Sequence, residues 1–298
     1  MKRLIKVGSR ESKLAMVQTE WVIQEIKKKH PELEFEVIGI KTAGDAILDK
    51  TLDKIGGKGL FIKELEHALL DGTVDMAVHS MKDLPAEMPE ELTIAAVSKR
   101  EDPRDVLVSR DGTVLDRLPY GAVIGTSSVR REVQISGKRG DLKFKTLRGN
   151  VLTRLNKLLN SEYDAVVLAA AGLKRLGLEE RCVQYFGIKD VIPAVGQGVL
   201  GVETRRDEDV GFLLDSIHCS ESQLAVDAER AFMIKLNGNC SIPIAAHAVI
   251  DGDQLKVWGM LASEDKACVY RAFTCGSRYD AAKLGERLAD MIIEQMNK

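Results

Sequence analysis

Hydrophobic positions along this chain switch between two periods, and the switching divides it before any side-chain chemistry is considered. Leu4-Ile5-Lys6-Val7 reads as a short strand, and Leu14, Val17, Trp21, Val22 and Ile26 recur at helical spacing, which predicts a helix over residues 13–29 ended by Pro31. A strand over 34–40, an amphipathic helix over 61–70 and a buried strand over 74–78 follow, with strands at 93–98 and 105–109. The same rhythm returns as strands at 123–125, 144–147 and 165–168, with helices starting near residue 129, over 151–159 and at Lys174-Arg175. Strand–helix alternation of this kind predicts α/β domains with largely parallel sheets. From Glu221 the order changes to a helix through Leu236, three strands at 244–250, 254–261 and 267–274, and a closing helix over 280–296. Asp251-Gly252-Asp253 supplies a hairpin turn, so this end reads as a small α+β domain.

Two punctuated stretches, Glu101-Asp102-Pro103-Arg104 and Pro193-Ala194-Val195-Gly196-Gln197-Gly198, read as crossings between the βα halves. The expected division is a first domain of residues 1–98 and 193–217, a second of 99–192 and a third of 218–298. Two βα domains joined by two crossings are expected to enclose a cleft.

Composition narrows the class without redrawing the outline. A chain of 298 residues, 45% hydrophobic and 30% charged, is ordinary globular material, and its longest apolar runs, such as 165–171, are too short to span a bilayer. Met1-Lys2-Arg3 leads into a strand without the apolar core of a signal peptide, so a cytoplasmic location is expected. Cysteines 182, 219, 240, 268 and 275 are odd in number and form no Cys-x-x-Cys pair, which points to free thiols, with neither a disulfide framework nor a metal site.

Charge is more informative. The formal net charge is −2, yet residues 125–175 hold six Arg and five Lys against four acidic residues, so a basic segment sits in an otherwise acidic chain. That implies a local anionic partner. The acidity elsewhere and the lack of aromatics interleaved with the arginines argue against nucleic acid.

The chemistry clusters at strand ends and in one loop. His79-Ser80-Met81-Lys82-Asp83 follows a buried strand, where open α/β sheets build ligand sites; no second ligand stands near His79, which reads as a packed histidine. Thr126-Ser127-Ser128-Val129-Arg130-Arg131 joins a strand to a helix start, whose unpaired N–H groups and positive dipole end suit a carboxylate or phosphate. The design recurs at Arg148-Gly149-Asn150 with Arg154 one turn in, and at Ala169 to Gly172 before Lys174-Arg175. Five arginines so placed predict a partner with several negative charges. Ile55-Gly56-Gly57-Lys58-Gly59 lacks the spacing of a phosphate loop and reads as a lysine-bearing lid. Cys240 lies on a loop, Asn237-Gly238-Asn239-Cys240-Ser241, between a helix end and Pro243.

Taken together, Val78-His79-Ser80-Met81-Lys82-Asp83, Gly125-Thr126-Ser127-Ser128-Val129-Arg130-Arg131, Leu147-Arg148-Gly149-Asn150, Pro193 to Gly198, and Glu229-Arg230-Ala231-Phe232 with the Cys240 loop resemble the porphobilinogen deaminase (hydroxymethylbilane synthase) family through essentially the whole chain. One departure is Asn239, where family members usually have Gly before the cysteine. The resemblance implies an α/β fold of two periplasmic-binding-protein-like (type II) domains around a cleft plus a small α+β C-terminal domain. It implies a cytoplasmic, monomeric transferase of tetrapyrrole (haem) biosynthesis. Four porphobilinogens would be condensed on a dipyrromethane cofactor held by Cys240 through a thioether, releasing ammonia and the linear tetrapyrrole. By the same resemblance Asp83 is catalytic; Cys240, Lys82, Asp83, Ser80, Ser128, Arg130, Arg131, Thr126 and Gly172 hold the cofactor. Arg10, Ser12, Gln18, Arg148, Arg154, Arg175 and Gln197 bind substrate, and Lys58 and Phe61 belong to the lid. The competing reading is a non-catalytic anion-binding module of the periplasmic-binding type, which would need neither Asp83 nor Cys240.

Overall fold

The computed structural model describes residues 4–42, 62–237 and 243–297. The expectations for Lys58, Phe61 and Cys240 fall outside these residues. In chain order the strands are β1 (Leu4–Arg10), β2 (Glu34–Ile40), β3 (Met76–Ser80), β4 (Leu92–Val97), β5 (Asp105–Ser109), β6 (Val123–Gly125), β7 (Lys143–Lys145), β8 (Ala165–Ala169), β9 (Gln184–Tyr185), β10 (Leu200–Arg205), β11 (Ile244–Asp251), β12 (Gln254–Ala262) and β13 (Val269–Ser277). The α-helices are α1 (Lys13–Lys29), α2 (Lys63–Leu70), α3 (Val129–Ser136), α4 (Val151–Leu159), α5 (Ala170–Arg175), α6 (Gly211–Ser216), α7 (Ser220–Lys235) and α8 (Ala281–Met296).

The chain groups into two compact units, one of residues 1–101 and 199–223, the other of 102–198 and 224–298. In the first, a five-stranded sheet has the order β2-β1-β3-β10-β4. β1, β2 and β3 are parallel, and β10 runs antiparallel to both β3 and β4. Ile5, Val7, Met76, Val78, Leu200 and Val202 meet Val22, Ile23 and Ile26 of α1 in its core. Burying each such side chain contributes roughly 1.5–3 kcal/mol.

Helix α1 keeps the expected bounds and turns a different face inward. Its buried positions are Gln18, Thr19, Val22, Ile23 and Ile26, while Trp21 is 42% exposed. The reason is geometric: at 100° per residue the stripe through 19, 22, 23 and 26 leaves 21 to one side. Ser12 caps this helix, its hydroxyl accepting from the Ala15 N–H at 3.3 Å.

The second unit repeats the plan. Its sheet order is β7-β6-β8-β5-β9, with β6, β7 and β8 parallel and β5 antiparallel to its neighbours. Leu107, Ile124, Ile135, Ala165 and Val167 form one side of its core and Val106, Val108, Val166, Leu168 and Leu173 the other. The C-terminal residues add the antiparallel sheet β11-β12-β13, covered by α8. Helix α7 lies close against this layer. A Cβ on Gly285 would stand 2.1 Å from the Ala228 carbonyl oxygen, and one on Gly259 would stand 2.8 Å from the ring of buried Phe232.

Within this unit the C-terminal sheet is fastened to the arginine-bearing part. Val133 of α3 and Ile192 pack against Ala245, Met260 and Ala262. Arg271 donates to the Lys189 carbonyl at 3.0 Å, and Lys266 pairs with Glu132 at 2.8 Å.

Candidate functional site

In the first unit the site begins where β3 ends. Met81, Lys82 and Asp83 form one 3₁₀ turn, closed by extended Leu84 before Pro85, which disfavours further helix. Buried Met81 pins the turn: its N–H donates to the Val199 carbonyl at 3.0 Å, and its Sδ lies where a Cβ on Gly201 would come within 2.4 Å. With that residue turned inward, Asp83 reaches the surface, its side chain 40% exposed.

Arg10, at the end of β1, brings Nη1 to 4.0 Å from Asp83 Oδ2. A half-exposed pair at that distance contributes little stability, so the carboxylate is held near a cation without being locked to it. Gln18 is buried against Ser80, its Nε2 donating to Oγ at 3.2 Å. Arg10, Gln18, His79, Ser80 and Asp83 line one small pocket, with Ala15, Ile62 and Val78 as its apolar wall. Ser12, expected among the substrate-binding residues, spends an acceptor site on its helix cap.

Behind the pocket, His79 Nε2 lies 2.9 Å from Glu203 Oε2 of β10, and both are buried. Glu66 of α2 belongs to the same surroundings: burial and the neighbouring Glu203 push its carboxyl up from the ordinary range. His79 is therefore a packed histidine, as its sequence context predicts, with an acid for a partner that sequence context does not reveal.

The second unit centres on Asp105, fully buried at the first position of β5. Arg131 donates from Nη2 and Nε to Asp105 Oδ1 at 2.8 and 3.1 Å, and Arg130 Nη1 stands 2.7 Å from Oδ2. Arg131 Nη1 also donates to the Val167 carbonyl at 2.9 Å, and Arg130 Nη1 to the Ile192 carbonyl at 2.6 Å. Burial alone would raise the Asp105 carboxyl, but the two guanidiniums outweigh it and hold the group well below the carboxylate range. Burial pulls Arg130 the other way, below its ordinary value, against the opposing pull of Asp105. Two guanidiniums against one carboxylate leave the trio with one positive charge.

Around the trio, the hydroxyl-rich turn is partly committed. Thr126 Oγ1 accepts from the Ser128 N–H at 3.1 Å and Ser127 Oγ donates to the Leu147 carbonyl at 2.6 Å. Ser128 takes the N-cap position of α3 without a side-chain cap bond. Arg148 is half-buried and makes no ion pair among the described residues. Gly149 beside it has φ +109°, and a Cβ there would meet Thr153 at 2.6 Å, so only glycine fits the turn. Asn150 caps α4 through the Thr153 N–H at 3.0 Å, as its position predicts. Arg154 donates to the Gly149 carbonyl at 2.7 Å.

Three expected placements change. Residues 170–172 form the first turn of α5 instead of a turn before it, so Gly172 is a buried helical residue and Arg175 ends the helix, donating to the Gly198 carbonyl at 2.8 Å. Gln197 is fully buried, with its amide donating to the Pro103 carbonyl at 2.6 Å and to Asp105 Oδ1 at 3.0 Å. That position is in the support of the arginine pair, beneath its surface. The expected strand at 144–147 is the shorter β7, which leaves Thr146 and Leu147 to the loop; there the Leu147 carbonyl accepts from Ser127.

Asp105 and Glu203 are the site-supporting residues that sequence reasoning missed. For both a signal exists: a carboxylate inside an otherwise apolar strand needs a buried partner.

Comparison with known proteins gives consistent matches. Residues 5–211 match the family model described as porphobilinogen deaminase, dipyromethane cofactor binding domain, and residues 223–294 match porphobilinogen deaminase, C-terminal domain. The porphobilinogen deaminase of Pelotomaculum thermopropionicum is 51% identical over 99% of this chain and 95% of its own length. That of Alkaliphilus metalliredigens is 50% identical over 98% and 93%. Among solved structures, the methionine-binding protein MetQ aligns over 72% of this chain and 89% of its own at 14% identity, with a TM-score of 0.46.

Proposed function

The chain belongs to the porphobilinogen deaminase family, transferases that condense four porphobilinogens into a linear tetrapyrrole, and from that premise we propose how its residues divide the work. Asp83 is the catalytic carboxylate. It lies close enough to Arg10 to stay oriented and, at 4.0 Å, far enough to engage a reacting group, and this one observation carries the assignment. Asp83 steers the proton at the departing amine nitrogen, stabilises the positive charge that develops on the methylene carbon, and takes up the proton lost from the coupled ring carbon. Arg10, Lys82, Ser80 and Gln18 bind and orient the incoming substrate around that pocket, with Ser12 fixing the helix that carries Gln18.

The arginine-rich unit holds the carboxylates of the cofactor and the growing chain. Two pyrroles, each with an acetate and a propionate, bring four negative charges. The positive trio of Arg130, Arg131 and Asp105, the half-buried Arg148, and the Thr126–Ser128 turn at the start of α3 suit them. Arg154 and Arg175 extend that positive surface to later rings. When bound, a dipyrromethane supplies the pyrrole carbon to which the first substrate is joined. Cys240 anchors it through a thioether, with Lys58 and Phe61 on a lid, in a monomeric cytoplasmic enzyme.

Intact mass measurement tests the anchor. The purified protein is expected to exceed its sequence mass by two pyrrole units on the peptide containing Cys240, and Cys240→Ala to lose both the excess and turnover. A bare mass with full activity would overturn the proposal.

A further inference from the structure

Glu229 and Gln197 sit outside the reacting groups, and their hydrogen bonds run in sequence toward the arginine pair. Glu229, on α7, is fully buried; one carboxylate oxygen accepts from the Gly196 N–H at 2.7 Å and the other from the Ala248 N–H of β11 at 2.8 Å. His247 Nδ1 lies 3.4 Å from the second oxygen. Gly196 and Gly198 have φ of +70° and +90°, so the turn between them is one that side chains other than glycine resist. The Gln197 N–H donates to the Ala194 carbonyl at 3.0 Å, completing the turn. Its side-chain amide then crosses to the Pro103 carbonyl and to Asp105 Oδ1, the oxygen that receives Arg131.

We propose that Gln197, with its turn fixed by Glu229, is a positioning residue that orients Asp105 and through it the Arg130–Arg131 pair for binding the carboxylates of the cofactor and of the substrate units joined to it. A carboxylate between two guanidiniums can rotate, and each rotation re-aims both arginines. A third donor on Oδ1, with the amide itself anchored to Pro103, stops that rotation and leaves Oδ2 facing Arg130. An amide suits the place better than an acid, since a second carboxylate would repel Asp105 and consume the surplus positive charge. Glu229 ties the turn to β11, which links the C-terminal sheet to the support of the arginine pair. This inference rests on the anion-binding role given above to Arg130 and Arg131.

The test is steady-state kinetics on purified holoenzyme for Gln197→Leu, Glu229→Gln, the double variant and, in parallel, Arg131→Lys. Losing one buried hydrogen bond corresponds to about a five- to ten-fold change. Gln197→Leu is therefore expected to raise KM for porphobilinogen by about that factor with kcat within about two-fold. Glu229→Gln should move KM the same way by less, and the double variant should fall short of the product of the two. A purely structural role would lower the active fraction and the melting temperature while leaving KM alone. Unchanged KM in both single variants, with KM raised in Arg131→Lys, overturns the positioning role while the anion site stands. Unchanged KM in Arg131→Lys overturns the anion site itself. If Gln197→Leu does not fold, Glu229→Gln decides alone.

Discussion

The two five-stranded sheets share one topology, and each places a fully buried carboxylate on its antiparallel strand: Glu203 on β10 and Asp105 on β5. Their partners differ. Glu203 meets one histidine, His79, whereas Asp105 meets two arginines and the amide of Gln197. One sheet plan thus yields two electrostatic outcomes. Where two guanidiniums face a single acid, a positive charge is left for the strand ends to present; where one imidazole faces it, the exposed acid Asp83 sets the character of the site. The charge each sheet leaves around its buried acid depends on what that acid is paired with.

The sharpest way to break that comparison is on the acidic side. Asp83→Asn keeps shape and removes charge, and turnover followed by porphobilinogen consumption is expected to fall about 10²–10⁴-fold with the melting temperature unchanged. Near-normal turnover would deprive the exposed acid of its role. Asp105→Ala comes next, because it strands two buried guanidiniums; urea unfolding should register a loss of about 3–5 kcal/mol. An equal loss from Glu203→Ala would erase the distinction between the two pairings.

Asp105 also carries a pH signature. Its folded carboxyl is depressed, so in the unfolded chain it binds a proton near pH 3.9 that the folded state refuses until lower pH. The stability it contributes is fully present above about pH 4–5 and is lost as pH falls toward the folded value. Denaturation curves between pH 3 and 7 should flatten at the acid end in Asp105→Asn; an unchanged slope would assign acid sensitivity elsewhere.

Arg148→Leu should raise KM about ten-fold through one lost charge-assisted contact, and accumulation of short-chain intermediates on a native gel is the readout. The smallest effect expected is Gly149→Ala, costing about 1–3 kcal/mol in calorimetry through its positive φ and its contact with Thr153. Stability equal to the parent would mean the turn relaxes freely.

Much of the site was legible because its chemistry lies in local signals. Asn150 caps where a capping residue is expected, and Arg10 ends β1 while Asp83 lies on the turn just past the neighbouring parallel strand β3, as βα periodicity implies. What escaped notice depends on pairing across the sheet. Asp105 opens an apolar strand 25 residues before Arg130, and nothing local relates the two. Ala169 to Gly172 reads equally as a small-residue turn or a helix start; Ala170 and Leu173 packing against β8 decides for helix and puts Arg175 at its end. Trp21 shares the helical spacing of the apolar positions, but Thr19 and Ile23 fit the buried stripe better.

The attachment of the C-terminal sheet bears on how the chain may be cut. Family models divide it between residues 211 and 223, yet residues 224–298 cohere with 102–198. A fragment ended at that inherited seam would lose the acceptor for the Gly196 N–H and bare Val133 and Ile192 to water. The division made by the family models and the division made by the packing therefore fall at different places in the same polypeptide.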